Sequence, residues 1–123
     1  MRQLGELEAL VMIKLWDSRS PLSVRDVVEQ LQSERKWAYT TVMTVLDRLA
    51  KKGLLQRHLD GRSYLYSPAL SKADYTAEQM QQVLHSSDDQ GTVLLRFVDR
   101  MEAAELAALR AALSSSEASE DSP

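Results

Sequence analysis

The sequence lacks cysteine altogether among its 123 residues. Without a thiol, it can form no disulfide framework, no thiolate metal site and no cysteine nucleophile. It also lacks any apolar run that approaches the roughly 20 residues of a membrane-spanning helix, and Met1-Arg2-Gln3 does not open a signal peptide. These absences predict a cytoplasmic protein that does not insert into a membrane.

Histidine is nearly absent too, since His58 and His85 are the only imidazoles. The sequence brings neither of them together with the carboxylate or serine partners that a hydrolytic site requires. Asp88 and Asp89 follow His85, but a specific metal site needs several convergent ligands, and carboxylates in a polar turn are usually solvated. We therefore expect no enzymatic activity, no metal and no cofactor.

The net charge of −3 is distributed unevenly along the chain. Residues 1–70 contain 11 Lys or Arg and 8 Asp or Glu, whereas residues 71–123 contain 4 and 10. The segment 35–64 alone contains 7 basic and 2 acidic residues, a net charge of +5. Because attraction to phosphate depends on local charge and not on the total, this segment indicates a nucleic-acid-binding surface.

The most informative segment is an amphipathic helix that is predicted to begin near Tyr39 and to end at Gly53. Its apolar residues recur at i, i+3, i+4 and i+7, and the glycine supplies a left-handed residue that ends the helix. The opposite face carries hydroxyls and then cations, which suits a helix lying in the DNA major groove. The alternative is an ordinary surface helix whose charges are merely solvated. The apolar positions are Val42, Val45, Leu46 and Leu49, and the polar face comprises Thr41, Thr44, Arg48 and Lys51, with Thr40, Met43 and Lys52 beside it.

A β-hairpin is predicted to follow over residues 54–68. Two β-forming runs flank Asp60-Gly61, a dipeptide that favours a two-residue turn in which both φ angles are positive. Two arginines flank the tip and two tyrosines follow it: Arg57, Arg62, Tyr64 and Tyr66. One of the tyrosines is expected in the core. A basic helix, a glycine and a hairpin in this order are the pattern of a winged helix.

Two shorter helices are predicted upstream. One covers residues 7–16, and the second is capped by Ser23 with Asp26 three positions later. Together the three helices and the hairpin predict a mostly α protein with a small β-hairpin, organised as a winged helix-turn-helix domain over residues 1–70. Trp37 is expected to pack in this domain, with its indole N–H as a donor to a phosphate.

Residues 71–113 are predicted to form three short helices, the first of which starts at Ser71. Phe97 is the only aromatic residue beyond Tyr75, so this region cannot enclose a core of its own. We expect a two-fold dimer, and the alternative is a monomer whose helices fold back on the winged-helix domain. The expected interface residues are Met80, Leu84, Leu94, Phe97, Val98, Met101, Leu106, Leu109 and Leu113. Residues 114–123 are predicted to be a disordered acidic tail.

With these elements in place, the sequence resembles the penicillinase-repressor family, the BlaI/MecI/CopY group of winged-helix transcriptional repressors. The likeness covers residues 4–113. Its most specific part is the run Trp-Ala-Tyr-Thr-Thr-Val-Met-Thr-Val-Leu-Asp-Arg-Leu-Ala-Lys-Lys-Gly at 37–53. The flanking matches are Leu4-Gly5-Glu6-Leu7-Glu8, Val11-Met12, Trp16, Val24-Arg25-Asp26-Val27, Gly61-Arg62 and Tyr64-Leu65-Tyr66-Ser67-Pro68.

The resemblance implies a homodimer that binds palindromic operator DNA and represses genes for β-lactam resistance or metal handling. In relatives, repression ends when a membrane metalloprotease sensor leads to cleavage of an Asn-Phe bond in the dimerisation half. The similar position in this sequence is Arg96-Phe97, which keeps the apolar residue but not the asparagine. Thiolate copper sensing, a property of one branch of the family, is excluded because cysteine is absent.

The residues expected to contact double-stranded DNA are Trp37, Tyr39, Thr40, Thr41, Met43, Thr44, Arg48, Lys51, Lys52, Arg57, Arg62 and Tyr64. A second function is a winged-helix module that binds another protein, in which the basic face meets an acidic partner without sequence-specific DNA binding. The threonines beside Arg48 favour base reading, because a purely protein-binding surface would carry more exposed aromatic residues.

Overall fold

The protein contains six helices and one antiparallel hairpin within residues 4–120, the part of the chain that the computed structural model describes, with side chains described through residue 116. The elements are α1 (Glu6–Asp17), α2 (Val24–Leu31), α3 (Tyr39–Lys51), β1 (Leu55–Asp60), β2 (Ser63–Pro68), α4 (Lys72–His85), α5 (Gln90–Asp99) and α6 (Ala103–Glu120). They confirm the predicted class, mostly α with a small β-hairpin. None of the described helices is both long and apolar enough to cross a membrane.

The chain divides into two compact units, and the boundary lies between Gln79 and Met80. We call residues 4–79 the head and residues 80–120 the tail. The core of the head is formed by apolar side chains at helical spacing on α1, α2 and α3, together with Leu54 between α3 and β1. Those that are less than 2% exposed are Val11, Met12, Leu15, Val27, Leu31, Val42, Leu46, Leu49 and Leu54. The predicted cap of α2 is confirmed, because the backbone N–H of Asp26 donates to Ser23 Oγ (3.1 Å) and that of Ser23 donates to Asp26 Oδ2 (3.0 Å).

The helix α3 ends at a glycine in the left-handed conformation, as predicted. Gly53 has a φ of +80°, and its N–H donates to the carbonyl of Ala50 at 3.1 Å. The N–H of Leu54 donates to the carbonyl of Leu49 at 3.0 Å, which completes a Schellman motif. This abrupt stop leads directly into β1 and fixes where the hairpin starts relative to the exposed face of α3.

We call the hairpin formed by β1 and β2 the wing. Its turn differs from the prediction. The last residue pair of the two strands is Asp60 opposite Ser63, so the loop residues are Gly61 and Arg62. Only Gly61 has a positive φ (+67°), and no other residue of the hairpin does. The expected pair of positive φ angles at Asp60-Gly61 is therefore wrong. A positive φ at the first loop position alone is the pattern of a type II′ turn, and it lets Asp60 remain in the strand ladder.

The wing is anchored to the segment between α1 and α2 through Tyr66. The backbone of Tyr66 exchanges two hydrogen bonds with Leu22, of 2.9 and 2.8 Å, and its side chain is only 2% exposed. Tyr64 is 40% exposed, which confirms that one of the two tyrosines packs in the core and the other does not. The wing therefore has a fixed base and an exposed tip.

The first turns of α4 belong to the head and not to a separate region that starts at residue 71. The rings of Tyr75 and Trp16 pack with centroids 5.5 Å apart, and Trp16 Nε1 donates to the carbonyl of Leu70 at 3.0 Å. Burial raises the pKa of Tyr75 above its usual value. The division after Gln79 falls later than the predicted boundary at 70/71, since these two rings pack the start of α4 against the core of the head.

The tail has no buried residue between 80 and 116. Every residue of α5 is exposed. The helix α6 continues through Glu120, whereas a disordered tail is predicted for 114–123, and residues 121–123 lie outside the described residues. An alanine- and leucine-rich segment nucleates this helix, and extending a nucleated helix across serines costs little.

Candidate nucleic-acid interface

The polar face of α3 is exposed along the helix while its opposite face lies in the core. Tyr39 and Met43 are 52% and 42% exposed. The hydroxyl of Thr44 donates to the carbonyl of Thr40 at 2.9 Å, which leaves its oxygen lone pairs and its methyl group for an external partner. The other predicted contact residues that lie exposed on this helix are Thr40, Thr41, Arg48 and Lys51. The helix can thus present hydroxyls, a methyl group and two cations together.

An ionic cluster centred on Asp47 joins α3 to the wing. Asp47 Oδ2 lies 3.0 Å from Lys51 Nζ, and Asp47 Oδ1 accepts a hydrogen bond of 2.9 Å from Arg57 Nη1. The hydrogen bond from Lys51 and the charge of Arg57 hold the pKa of Asp47 below its usual value. The guanidinium carbon of Arg57 lies 4.6 Å from the centre of the Tyr64 ring. Arg57, predicted as a phosphate contact, is thus part of the joint that sets the position of the wing.

Lys52, also predicted as a phosphate contact, makes an ion pair inside the head. Its Nζ lies 2.8 Å from Oε2 of Glu8, a residue that is only 8% exposed. The second carboxylate oxygen of Glu8 accepts a hydrogen bond of 3.0 Å from the N–H of Gly5. Burial disfavours the charge of Glu8, but the hydrogen bonds from Lys52 and Gly5 outweigh it and lower the pKa of Glu8. Lys52 therefore joins the end of α3 to the start of α1.

Trp37 packs before α3 but does not offer its indole N–H to the surface. Its Nε1 is enclosed and has no acceptor among the described residues. The guanidinium carbon of Arg35 lies 4.6 Å from the centre of the ring. Trp37 packs against the core, in agreement with its predicted packing role, and its N–H is enclosed in this structure.

Two arginines extend the exposed basic surface beyond α3. Arg62 lies in the wing loop and is exposed, as predicted. Arg25 lies in the first turn of α2 and was missed by the sequence reasoning, as was Asp47. A cation in the first turn of a helix opposes the helix dipole, and that is the signal by which Arg25 could have been found. Neither arginine has an ion-pair partner among the described residues.

All of the residues predicted for a dimer interface lie in the tail, and all are at least partly exposed. Met80, Leu94, Phe97, Val98 and Leu113 are 37–56% exposed, whereas Leu84, Met101, Leu106 and Leu109 are half-buried. Three apolar side chains that the prediction missed, Val83, Val93 and Leu95, are 40–72% exposed. The predicted cleavage position lies in α5, where Arg96 is exposed and its Nη1 lies 3.9 Å from Asp99 Oδ2.

Asp89 caps α5 with both of its carboxylate oxygens. Oδ1 accepts from the N–H of Thr92 at 3.1 Å, and Oδ2 accepts from the hydroxyl of Thr92 at 2.6 Å. The hydrogen bonds from Thr92 hold the pKa of Asp89 below its usual value. Among the side chains described, those of residues 4–116, no group of three or more His, Asp or Glu is placed to hold a metal ion.

The head has three helices and a hairpin that is anchored beside the second helix. Its third helix has an exposed face of threonines and an arginine. These features define a winged-helix protein of the nucleic-acid-binding class. The chain belongs to the penicillinase repressor family, which matches residues 4–115. The transcriptional regulator BlaI of Mycobacterium tuberculosis is 43% identical over 121 residues, which span 96% of this chain and 88% of that protein. The family is one of transcriptional repressors and not of enzymes.

Two solved structures share the fold over 59% of this chain, each at 34% identity and over 88% of its own length. One is the DNA-binding domain of the repressor BlaI, with a TM-score of 0.53. The other is the monomeric form of Bacillus licheniformis BlaI in complex with the blaP half-operator, with a TM-score of 0.50. These similarities confirm the predicted winged helix and the predicted family.

Proposed function

We propose that the protein is a cytoplasmic, homodimeric transcriptional repressor that binds palindromic operator DNA. The observation that carries this proposal is the exposed face of α3, on which Thr40, Thr41 and Thr44 precede Arg48. A helix fits the width of the major groove, and Thr and Arg side chains bond to base edges and phosphates there. The apolar face of α3 packs in the core, so the helix enters the groove with its polar face toward the bases.

Each head binds one half of the operator. The relative solved as a monomer with a half-operator supports one head for each half-site. The tail supports the pairing of two chains, because it has no buried residue between 80 and 116 and gains an apolar core only from a partner. Two-fold association of two tails places two heads along one duplex, and this arrangement matches a palindrome.

Separation of the tails ends repression. Two linked heads bind an operator much more tightly than one head does, since the second contact is intramolecular. Cleavage of the bond between Arg96 and Phe97 divides α5, which carries the exposed apolar side chains. A membrane metalloprotease sensor is the partner class that the family resemblance implies for this step, and genes of β-lactam resistance are the implied targets.

The test is a selection of preferred duplexes from a random-sequence library with the full chain. We expect the selected duplex to bind at least about 10³-fold more tightly than a mixed-sequence duplex of the same length. Arg48→Ala is expected to lower the ratio of the two affinities roughly tenfold or more, because the loss of a base contact weakens binding to the selected duplex most. Thr44→Val keeps a methyl group and removes the hydroxyl, so it separates the two contributions of that side chain.

The matched control is Arg110→Ala, which removes an exposed arginine of α6 and is expected to leave the preference unchanged. Equal binding of every duplex by the wild-type chain would overturn the proposal. It would favour the winged-helix module that binds another protein.

A further inference from the structure

A cleft of about 530 Å³ lies in the head between the first turn of α2, the start of α3 and the wing. Arg25 of α2 and Arg62 of the wing loop both line it, although they are far apart in the sequence. Tyr39 and Tyr64 line it as well, and so does Ser63. None of its lining residues is acidic.

The charge of this cleft is available to a ligand. Lys52 is paired with Glu8, and Lys51 and Arg57 share the single carboxylate of Asp47, so part of the basic charge of α3 and the wing is neutralised within the head. Arg25 and Arg62 have no such partner among the described residues. Arg25 also opposes the dipole of α2, and an anion beside it relieves that repulsion.

The chemistry of the lining fits an oxyanion such as a phosphate. Guanidinium groups donate in a fork that matches phosphate oxygens, and tyrosine and serine hydroxyls add neutral donors. The cleft adjoins the polar face of α3, since Tyr39 and Met43 belong to both. A DNA strand bordering a groove that holds α3 therefore passes the mouth of this cleft.

We propose that the cleft holds one phosphate of the DNA backbone, clamped between Arg25 and Arg62. This inference rests on the proposed DNA-binding function. The clamp joins α2 and the wing through the same phosphate, and so it fixes the register of α3 in the groove without reading a base. Arg25 is then a positioning residue, and Arg62, not Arg57, is the phosphate contact of the wing.

The experiment measures the salt dependence of binding to a mixed-sequence duplex by the full chain. Each neutralised phosphate contributes about 0.9 to the slope of log K against log salt. If the two arginines share one phosphate, Arg25→Ala together with Arg62→Ala lowers the slope by about 0.9 and the affinity about tenfold at 0.1 M salt. Arg25→Lys keeps the charge and is expected to retain the wild-type slope.

The control pair is Arg19→Ala together with Arg110→Ala, which removes two exposed arginines outside the cleft and should leave the slope unchanged. An unchanged slope in the cleft variant would overturn the clamp, and a loss near 1.8 would show two separate phosphates and also overturn it. Thermal unfolding of each variant verifies the fold. Because the duplex has a mixed sequence, this test does not depend on operator recognition. If the duplex selection found no preferred sequence but the cleft variant still lowered the salt slope, the repressor proposal would be overturned and the clamp would stand.

Discussion

The head and the tail are built from helices of similar apolar spacing, but their apolar faces meet different surroundings. In the head, side chains such as Leu46 and Leu49 are completely enclosed by neighbouring elements of the same chain. In the tail, Leu95 and Phe97 are 58% and 49% exposed. Periodicity therefore specifies that a helix has a face to bury, but it does not specify what buries that face. The head encloses its apolar faces within its own chain, whereas those of the tail remain exposed.

This difference assigns separate tasks to the two units. Full burial of one large apolar side chain contributes roughly 1.5–3 kcal/mol, so several such residues in the tail can make association strong. If two tails associate as proposed, the stability of the tail depends on protein concentration, while that of the head does not. In the proposed dimer, a signal that separates the tails changes the number of linked heads and leaves the exposed face of α3 intact.

The largest expected effect contrasts a core leucine of the head with an exposed leucine of the tail. Leu46→Ala is expected to lower the free energy of unfolding by about 2–5 kcal/mol, because it opens a cavity in a packed core. Leu95→Ala, the matched control, is expected to cost about 0.5 kcal/mol or less in the unfolding of the head. Urea denaturation of both variants provides the measurement. Similar losses from both would mean that head and tail unfold as one unit.

The next effect tests whether the tail is completed by a second copy of the chain. Phe97→Asp places a charge within the exposed apolar surface of α5 and is expected to yield monomers in sedimentation experiments. Loss of the linked second contact should weaken binding to a selected palindrome by about 10²-fold or more. Gln81→Asp adds the same charge at an exposed polar position and should preserve the dimer. If the Phe97→Asp protein remained dimeric, α5 would not be part of the dimer interface.

Local sequence determines much of the head, and this is why it was predictable. The helix α3, its end at Gly53 and the cap at Ser23 all follow from residues within a few positions of one another. The family and the winged helix followed from the same local run. The roles of the cations did not, because Lys52 and Glu8 are 44 positions apart and meet only when α1 and α3 pack.

Long-range contacts also explain the other differences. Arg57 reaches Asp47 across the start of the wing, and the cleft of Arg25 forms only when α2 and the wing come together. The boundary after Gln79 depends on the ring of Tyr75 meeting α1. A sequence shows which side chains carry charge, but the fold decides which charges are neutralised and which are left for a ligand.

The smallest expected effect compares two helix caps of matched geometry, one in each unit. The N–H of Asp26 lies 3.1 Å from Ser23 Oγ, and the N–H of Thr92 lies 3.1 Å from Asp89 Oδ1. Ser23→Ala should lower the free energy of unfolding of the head by about 1 kcal/mol, since one N–H of the first turn loses its acceptor. Asp89→Ala should leave the unfolding of the head unchanged and weaken the dimer severalfold, because α5 has no core of its own.

The two caps also differ in how pH acts on them. The hydrogen bonds from Thr92 lower the pKa of Asp89, so its contribution is present above the unfolded pKa of about 3.9 and is lost as pH falls through the lower folded pKa. The dimer dissociation constant of the wild type should therefore approach that of Asp89→Ala on acidification, as measured by sedimentation. Asp89→Asn keeps a side-chain acceptor without a titrating charge, and its difference from Asp89→Ala should persist at low pH. If Asp89→Ala had the same dimer dissociation constant as the wild type at neutral pH, the cap of α5 would not contribute to dimer stability.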